Sequence, residues 1–213
     1  MKQVRLTTEG GEGFIRKAHR YDKSYFDKWY RHPKHRVSTP ALTRRKAALA
    51  VAVAEYYLER PVRTVLDVGC GEGQWQPVLA RLRPGIRYTG VDSSEYAVRR
   101  FGRRRNLRLC PFGNLRSFDL APAYDLIICS DTLYYVSRAE LSDGLAVLAR
   151  HLGGVAFFEA YASGEALKGD LPLERRDPAF YRRLFRKHGF ISCGSHCYVG
   201  TQLAGQVTAL ERG

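Results

Sequence analysis

The 213-residue sequence predicts one α/β domain built from βαβ units, with a ligand held over the turn that follows its first strand. Two stretches carry that expectation. In Val65-Leu66-Asp67-Val68-Gly69-Cys70-Gly71-Glu72-Gly73 a β-branched, apolar run gives way to three glycines separated by single residues, and a helix-compatible segment follows from Gln74. Glycine suits such a turn because it adopts left-handed backbone angles, and because a missing Cβ lets a ligand approach the main chain. The next predicted strand, residues 86–91, runs into Asp92. That is the tip of the second strand of a βαβ unit, where a carboxylate can accept both hydroxyls of a ribose.

The spacing argues against two common ligands. A phosphate loop requires Lys-Ser/Thr after its last glycine, and Glu72-Gly73-Gln74-Trp75 offers neither. A dinucleotide fingerprint is G-x-G-x-x-G, whereas this turn is G-x-G-x-G with Asp67 inside the strand end just before it. The carboxylates of Asp67 and Glu72 would repel phosphate and suit a ligand that carries a cation. A cationic amino acid joined to a nucleoside is S-adenosylmethionine.

Four segments in order, VLDVGCGEG, GVDSSEYAV, YDLIICSDTLYYV and HLGGVAFFEAY, resemble the successive motifs of class I S-adenosylmethionine-dependent methyltransferases across residues 61–211. Arg36-Val37-Ser38-Thr39-Pro40 and DTLYYV resemble, more narrowly, the nodulation-protein-S-like small methyltransferases. The resemblance implies a Rossmann-like, seven-stranded, mostly parallel sheet with an antiparallel last strand, strand order 3-2-1-4-5-7-6, and N-terminal lid helices. It also implies S-adenosyl-L-homocysteine as a product. The expected division is a flexible tail (1–17), a helical lid (18–60) and a cofactor-binding catalytic core (61–213).

Residues 1–17 hold glycine and charge with little apolar surface to offset ordering entropy. They lack the apolar core of a signal peptide, and the longest apolar run, 47–58, is far short of the ~20 residues a membrane span needs. The expectation is a cytoplasmic protein with reduced cysteines and no membrane contact. Over 21–31, Tyr21, Tyr25 and Trp29 recur at helical spacing, giving an aromatic face that Pro33 terminates. Such a helix packs on the domain, closes over cofactor and substrate with Trp29 among the cofactor contacts, or serves as a nucleic-acid stacking arm; His32 and His35, flanking Pro33, read as surface residues. A helix over 39–59 follows, with Pro40 in its first turn, and Arg36 just before it either reaches the methionine carboxylate of the cofactor or is solvated.

After the glycine turn, residues 74–83 form a helix whose dipole would favour that carboxylate near the backbone amides of the turn. Cys70 sits in the turn itself, Ser93 stands beside the adenosine, and Ser94 caps the next helix. The third strand, Leu107-Arg108-Leu109, leads to Cys110-Pro111-Phe112-Gly113-Asn114. In the class this loop carries an acid that accepts from the adenine amino group. Here Asn114 stands in its place, with an amide oxygen that still accepts, and Phe112 packs either against adenine or in the core.

The fourth strand, 124–129, is followed directly by Ser130-Asp131-Thr132-Leu133-Tyr134-Tyr135-Val136. Ligands in this architecture bind outside the carboxyl ends of parallel strands, so chemistry is expected here. Backbone carbonyls around Cys129 and Ser130 receive the methionine ammonium, Asp131 and Tyr134 orient substrate, and Glu159, at the end of a fifth strand over 155–160, lines the acceptor pocket. The [D/N/S]-P-P-[Y/F/W] motif of nucleic-acid amine methyltransferases is missing from this position. Residues 164–178 read as a loop over the site, Asp177-Pro178 opens a helix that stops at Gly189, and 190–199 with 206–211 form the final hairpin. Cys193, His196 and Cys197 share one strand without a fourth ligand, so no metal site is expected.

The net charge of +14 comes with arginine clusters at 99–108 and 175–187. They are either a solvated surface or the footprint of a polyanion; the first cluster lies away from the expected methyl-transfer mouth, which favours solvation. The expected activity is in-line methyl transfer from S-adenosylmethionine to an oxygen or nitrogen of a small-molecule acceptor. RNA as acceptor and a non-catalytic cofactor-binding regulator stand as alternatives. The sequence names neither the acceptor nor the oligomeric state.

Overall fold

Seven strands form one sheet in the order β3-β2-β1-β4-β5-β7-β6, the order the motifs imply. They are β1 (Thr64–Val68), β2 (Arg87–Asp92), β3 (Leu107–Leu109), β4 (Tyr124–Ser130), β5 (Leu152–Glu159), β6 (Ile191–Ser192) and β7 (Cys197–Val199). The first five run parallel, and β7 lies antiparallel to both β5 and β6. This computed structural model describes residues 21–165 and 174–210; the expected tail (1–17), part of the predicted lid (18–20) and residues 166–173 of the expected active-site loop lie outside them.

The central strands are buried on both faces, as parallel strands covered by helices must be, and their side chains divide by alternation. Val65, Leu126, Ile128, Val155 and Phe157 pack beneath α2 (Pro40–Leu58) and α3 (Trp75–Leu82). Leu66, Ile127, Cys129, Ala156 and Phe158 face the other way, onto α5 (Arg138–His151) and α6 (Pro178–Lys187). The helix between β2 and β3, α4 (Glu95–Arg105), packs Val98 and Phe101 against the first group. Thr39 caps α2 by accepting from the Leu42 N–H at 3.1 Å, and the buried face of α2 carries Thr43, Ala47, Ala50 and Ala54, small enough for the helix to lie close on the sheet. Among the described residues no helix is long and apolar enough to cross a membrane.

Three differences from the sequence expectations have local causes. The aromatic N-terminal segment is a short helix α1 (Lys23–Phe26), capped by Asp22, that widens into a single π-turn (Asp27–Arg31). β5 begins at Leu152, three residues before the expected start at 155, and takes in Gly153 and Gly154; a Cβ on Gly154 would stand 2.2 Å from the Asp125 carbonyl, so glycine here permits close strand approach. The last hairpin lies wholly within 191–199, turned by Gly194, Ser195 and His196 with φ of 86°, 48° and 65°. The segment expected as its second strand, 206–211, forms no strand over its described residues: Gln206 ends a 3-10 turn (Thr201–Gln206) and 207–210 are irregular.

Parallel register places the functional strand ends together. Val68 pairs with Val91, and Asp67 with Ile128, so the glycine turn, Asp92 and Ser130 emerge along one edge of the sheet.

Candidate active site

Gly69 and Gly71 hold φ of +70° and +54°, and a Cβ on either would collide: at 2.2 Å from Thr132 Oγ1 and 2.3 Å from the Tyr30 hydroxyl respectively. The turn is thus pressed between the loop after β4 and the π-turn. Its amides are committed internally. Gly69 and Cys70 donate to the Val91 carbonyl at 2.8 and 3.1 Å, Gly71 donates to Asp92 Oδ2 at 2.7 Å, and Gly73 donates to the Cys70 carbonyl at 2.8 Å. The expected amide cradle for a carboxylate therefore does not lie at these four residues. Gln74, which precedes α3, and Trp75, its first residue, line the smaller of two adjoining cavities.

The larger cavity, about 370 Å³, brings together Gly69, Gly71, Asp92, Ser93, Phe112 and Asn114, as the sequence predicts, beneath Tyr21, Phe26 and Tyr30. Asp92 accepts from the N–H groups of Gly71 and Ser94 at 2.7 and 2.8 Å; burial pushes its carboxyl up, and these donors oppose the shift. Ser94 accepts from Ala97 N–H to cap α4 and donates to the Tyr21 carbonyl at 2.5 Å, tying the N-terminal segment to the end of β2. Phe112 lines the cavity and also wedges onto α5, where a Cβ on Gly144 would stand 2.1 Å from its ring. A carboxylate with aromatic faces around it suits a nucleoside.

The smaller chamber, about 70 Å³, is lined by Trp29, Asp67, Cys70, Ser130, Asp131 and Tyr134, again from the predicted set, and by Ser38, Thr43 and Lys46 of the segment entering and forming α2. Tyr25, Tyr30, Gly69, Asp131 and Tyr135 line both spaces, so the two meet there. Asp67 accepts from the Tyr88 hydroxyl at 2.6 Å, and burial pushes its carboxyl up to about 7. A buried carboxyl near neutrality is one that an arriving cation would ionise, which fits the ammonium or sulfonium of S-adenosylmethionine.

Two predicted contacts, Arg36 and Glu159, fall elsewhere. Arg36 is exposed and lines neither cavity; the N-terminal cation that does reach the turn is Arg31, which donates to Glu72 at 2.6 Å. The Cys129 side chain points into the core on the α5 side, fully buried, so only its backbone could meet a ligand. Glu159 lines neither cavity and is bound just behind the wall: Ser130 Oγ donates to it at 2.6 Å and Lys46 Nζ at 2.5 Å.

Asp131 sits where the cavities join, with φ of +58°, a left-handed backbone that an L-residue other than glycine rarely holds. Burial pushes its carboxyl up to about 6, the like charge of Glu159 adds to the shift, and Lys46, the Ser130 hydroxyl and Tyr134 oppose it. Around it the rings of Tyr134 and Tyr135 lie 4.6 Å apart, with Tyr161 5.8 Å from Tyr134. Burial, then the neighbouring Asp131, raises the Tyr134 phenol, so Tyr134 is a hydrogen-bond donor rather than a base.

Sequence reasoning missed several parts of this site. Lys46 carries a signal in hindsight: it lies on the α2 face shared by Thr43, Ala47 and Ala50. Arg176, read as part of a surface cluster, is buried and donates to the carbonyls of Leu133 and Val136 at 3.2 and 2.6 Å, pinning the 3-10 turn (Leu133–Tyr135) that carries Tyr134. Arg105, in the other cluster, donates to the Glu72 carbonyl at 2.5 Å and braces the glycine turn. Nothing local in the sequence distinguishes these two arginines from their neighbours.

Residues 66–155 match the protein family described as a methyltransferase domain. Among solved structures, the chain is similar to DesVI of Streptomyces venezuelae, at 18% identity and a TM-score of 0.55 over 74% of this chain and 92% of that one. It is similar to an amino pentose methyltransferase from Micromonospora echinaspora with S-adenosylmethionine bound, at 16% identity and a TM-score of 0.57 over 92% of this chain and 98% of that one. A third likeness is to the magnesium protoporphyrin IX methyltransferase of Synechocystis with S-adenosylhomocysteine bound, at 18% identity and a TM-score of 0.56 over 86% and 96%. At these identities the likeness is one of fold. No curated protein matches the sequence.

Proposed function

We propose that this chain, a class I S-adenosylmethionine-dependent methyltransferase, methylates an oxygen or nitrogen of a small-molecule acceptor, with Asp131 as the group that takes the acceptor's proton. The observation that carries this reading is the junction of the two cavities at Asp131: a nucleoside-sized space anchored by Asp92 opens into a chamber walled by tyrosine, tryptophan and carboxylate. Two of the similar folds are described as methyltransferases of an amino pentose and of magnesium protoporphyrin IX, which are small molecules.

Bound S-adenosylmethionine supplies an electrophilic methyl group, and no covalent intermediate on the protein is required. The chain's own residues do the rest. Asp92, held by two backbone N–H groups, offers its remaining acceptor capacity to ribose hydroxyls, and Phe112 and Asn114 border the base. Residues 21–31 act as a lid: tied down through Tyr21 to Ser94 and through Arg31 to Glu72, their aromatic rings exclude water from the junction. Tyr134 donates to the acceptor and orients it, while Asp131 receives its proton; a positioned base of this kind contributes about 10²–10⁴-fold.

Transfer of labelled methyl from S-adenosylmethionine to a fractionated cell extract tests the reading, with Asp92→Ala as the inactive control. Label is expected in the small-molecule fraction. A second reading, RNA as acceptor, is favoured by one observation: Arg99, Arg100, Arg103, Arg104 and Arg108 are exposed, and among the described residues none pairs with a carboxylate. Label confined to nuclease-sensitive material would establish that reading instead. Cofactor binding without label in any fraction would point to a regulator.

A further inference from the structure

Glu159 and Asp131 converge on one hydroxyl. Ser130 Oγ donates to Glu159 Oε2 at 2.6 Å and lies 3.5 Å from Asp131 Oδ2. Two carboxylates so placed in a largely buried site repel each other, and such a pair ordinarily retains a proton that neither can lose alone. One cation answers both. Lys46 Nζ stands 2.5 Å from Glu159 Oε2 and 3.8 Å from Asp131 Oδ2, with its side chain only 14% exposed. It reaches them from the second turn of α2, more than eighty residues away in sequence from either partner.

We propose that Lys46 is a positioning residue: by pairing with Glu159 and facing Asp131 it keeps the Asp131 carboxylate unprotonated and aimed into the chamber, ready to accept the proton of the incoming nucleophile. The inference rests on the reading of Asp131 as the proton acceptor. Other groups face Asp131 from the packed elements: Tyr30 from the π-turn, Cys129 from β4, Tyr134 from its own loop and Tyr161 from beyond β5. Burial raises the proton affinity of all four, so they stay neutral near pH 7. Lys46 is therefore the nearest cation among the described residues, and Glu159 the nearest like charge. Removing one or the other must move Asp131 in opposite directions, which a merely structural lysine would not do.

The test is a carbon-13 carboxyl NMR titration of the full chain, with the Asp131 resonance identified by its loss in Asp131→Asn. The wild-type midpoint is expected at about 6. Lys46→Gln should raise it by about one pH unit or more, Glu159→Gln should lower it, and Lys46→Arg should hold it within about 0.3 unit. An unmoved midpoint in Lys46→Gln overturns the proposal whether or not the protein turns over any acceptor. If Lys46→Gln fails to fold, an unmoved or raised midpoint in Glu159→Gln overturns it. In the same variants, the acid limb of kcat should follow the NMR midpoint. A limb that stays fixed while the resonance moves overturns the role of Asp131 as base, and with it the catalytic consequence of Lys46. The dissociation constant for S-adenosylmethionine should change less than about threefold in Lys46→Gln; a loss of about tenfold or more would make Lys46 a cofactor contact and overturn the assignment.

Discussion

Asp92 and Asp131 both stand at the carboxyl ends of parallel strands, at the end of β2 and just after β4, and their surroundings make them opposites. Asp92 is met by the N–H groups of Gly71 and Ser94, so its position is fixed and its negative charge is solvated by the backbone. Asp131 sits on a left-handed residue, and its neighbours are a second carboxylate, a lysine and tyrosines. One is built to hold and the other to titrate. The difference teaches that a strand-end carboxylate acquires its role from the donors the next few residues turn toward it, not from its place in the topology.

Substitutions that interchange these roles break or sharpen the contrast. The largest effect is expected for Asp92→Ala. It removes the proposed acceptor of two ribose hydroxyls, each charge-assisted bond worth about 1.5–3 kcal/mol, so the cofactor dissociation constant should rise about 10²–10⁴-fold by equilibrium dialysis. Asp131→Asn should instead leave that constant within about threefold and lower kcat by about 10²–10³. In the wild type kcat should fall with unit slope below pH about 6, because the acceptor carboxylate must be ionised to take a proton. A weakened cofactor in Asp131→Asn would erase the distinction between the two residues.

A third carboxyl, Asp67, extends the comparison to stability. Its folded value of about 7 lies above its unfolded one, so the folded state binds the extra proton between pH about 4 and 7. Stability from this group is then greatest at the acid end of that window, falls as pH rises through it, and is level above. Between pH 5 and 7 the loss is roughly 2–3 kcal/mol, and thermal unfolding of Asp67→Asn should lack that slope. The smallest effect belongs to Arg31→Met. The Arg31 side chain is 43% exposed, so its bond to Glu72 contributes about 0.5–1 kcal/mol, and cofactor affinity should weaken only about two- to fivefold.

Legibility in the sequence followed the range of the forces involved. β1, β3, β4, the caps Thr39, Ser94 and Asp177, and the glycine turn were all readable, because continuous apolar runs, capping side chains and left-handed glycines act within a few residues. So were Asp92 and the Ser130–Asp131 step, which the strand ends locate. The last hairpin was not, since two- and three-residue strands leave no periodicity to read and Ser195 and His196 take left-handed angles without being glycine. Lys46 and Arg176 were hidden for another reason. Each is one basic residue among several, and only tertiary packing decides that Lys46 meets Glu159 while Arg44 and Arg45 stay exposed, or that Arg176 turns inward while Arg175 does not.

The internal bonding of the glycine turn has a consequence for the timing of order. With the amides of Gly69, Cys70, Gly71 and Gly73 already engaged by the chain itself, this backbone needs no ligand to set its shape. Any ordering on cofactor capture then falls outside the turn. In amide hydrogen exchange the turn should be slow in the free protein and change little on binding, whereas 23–31 should exchange early and become protected only once the cofactor is seated. The rigid half of the site would thus act as a template, and the N-terminal segment would register that it is filled.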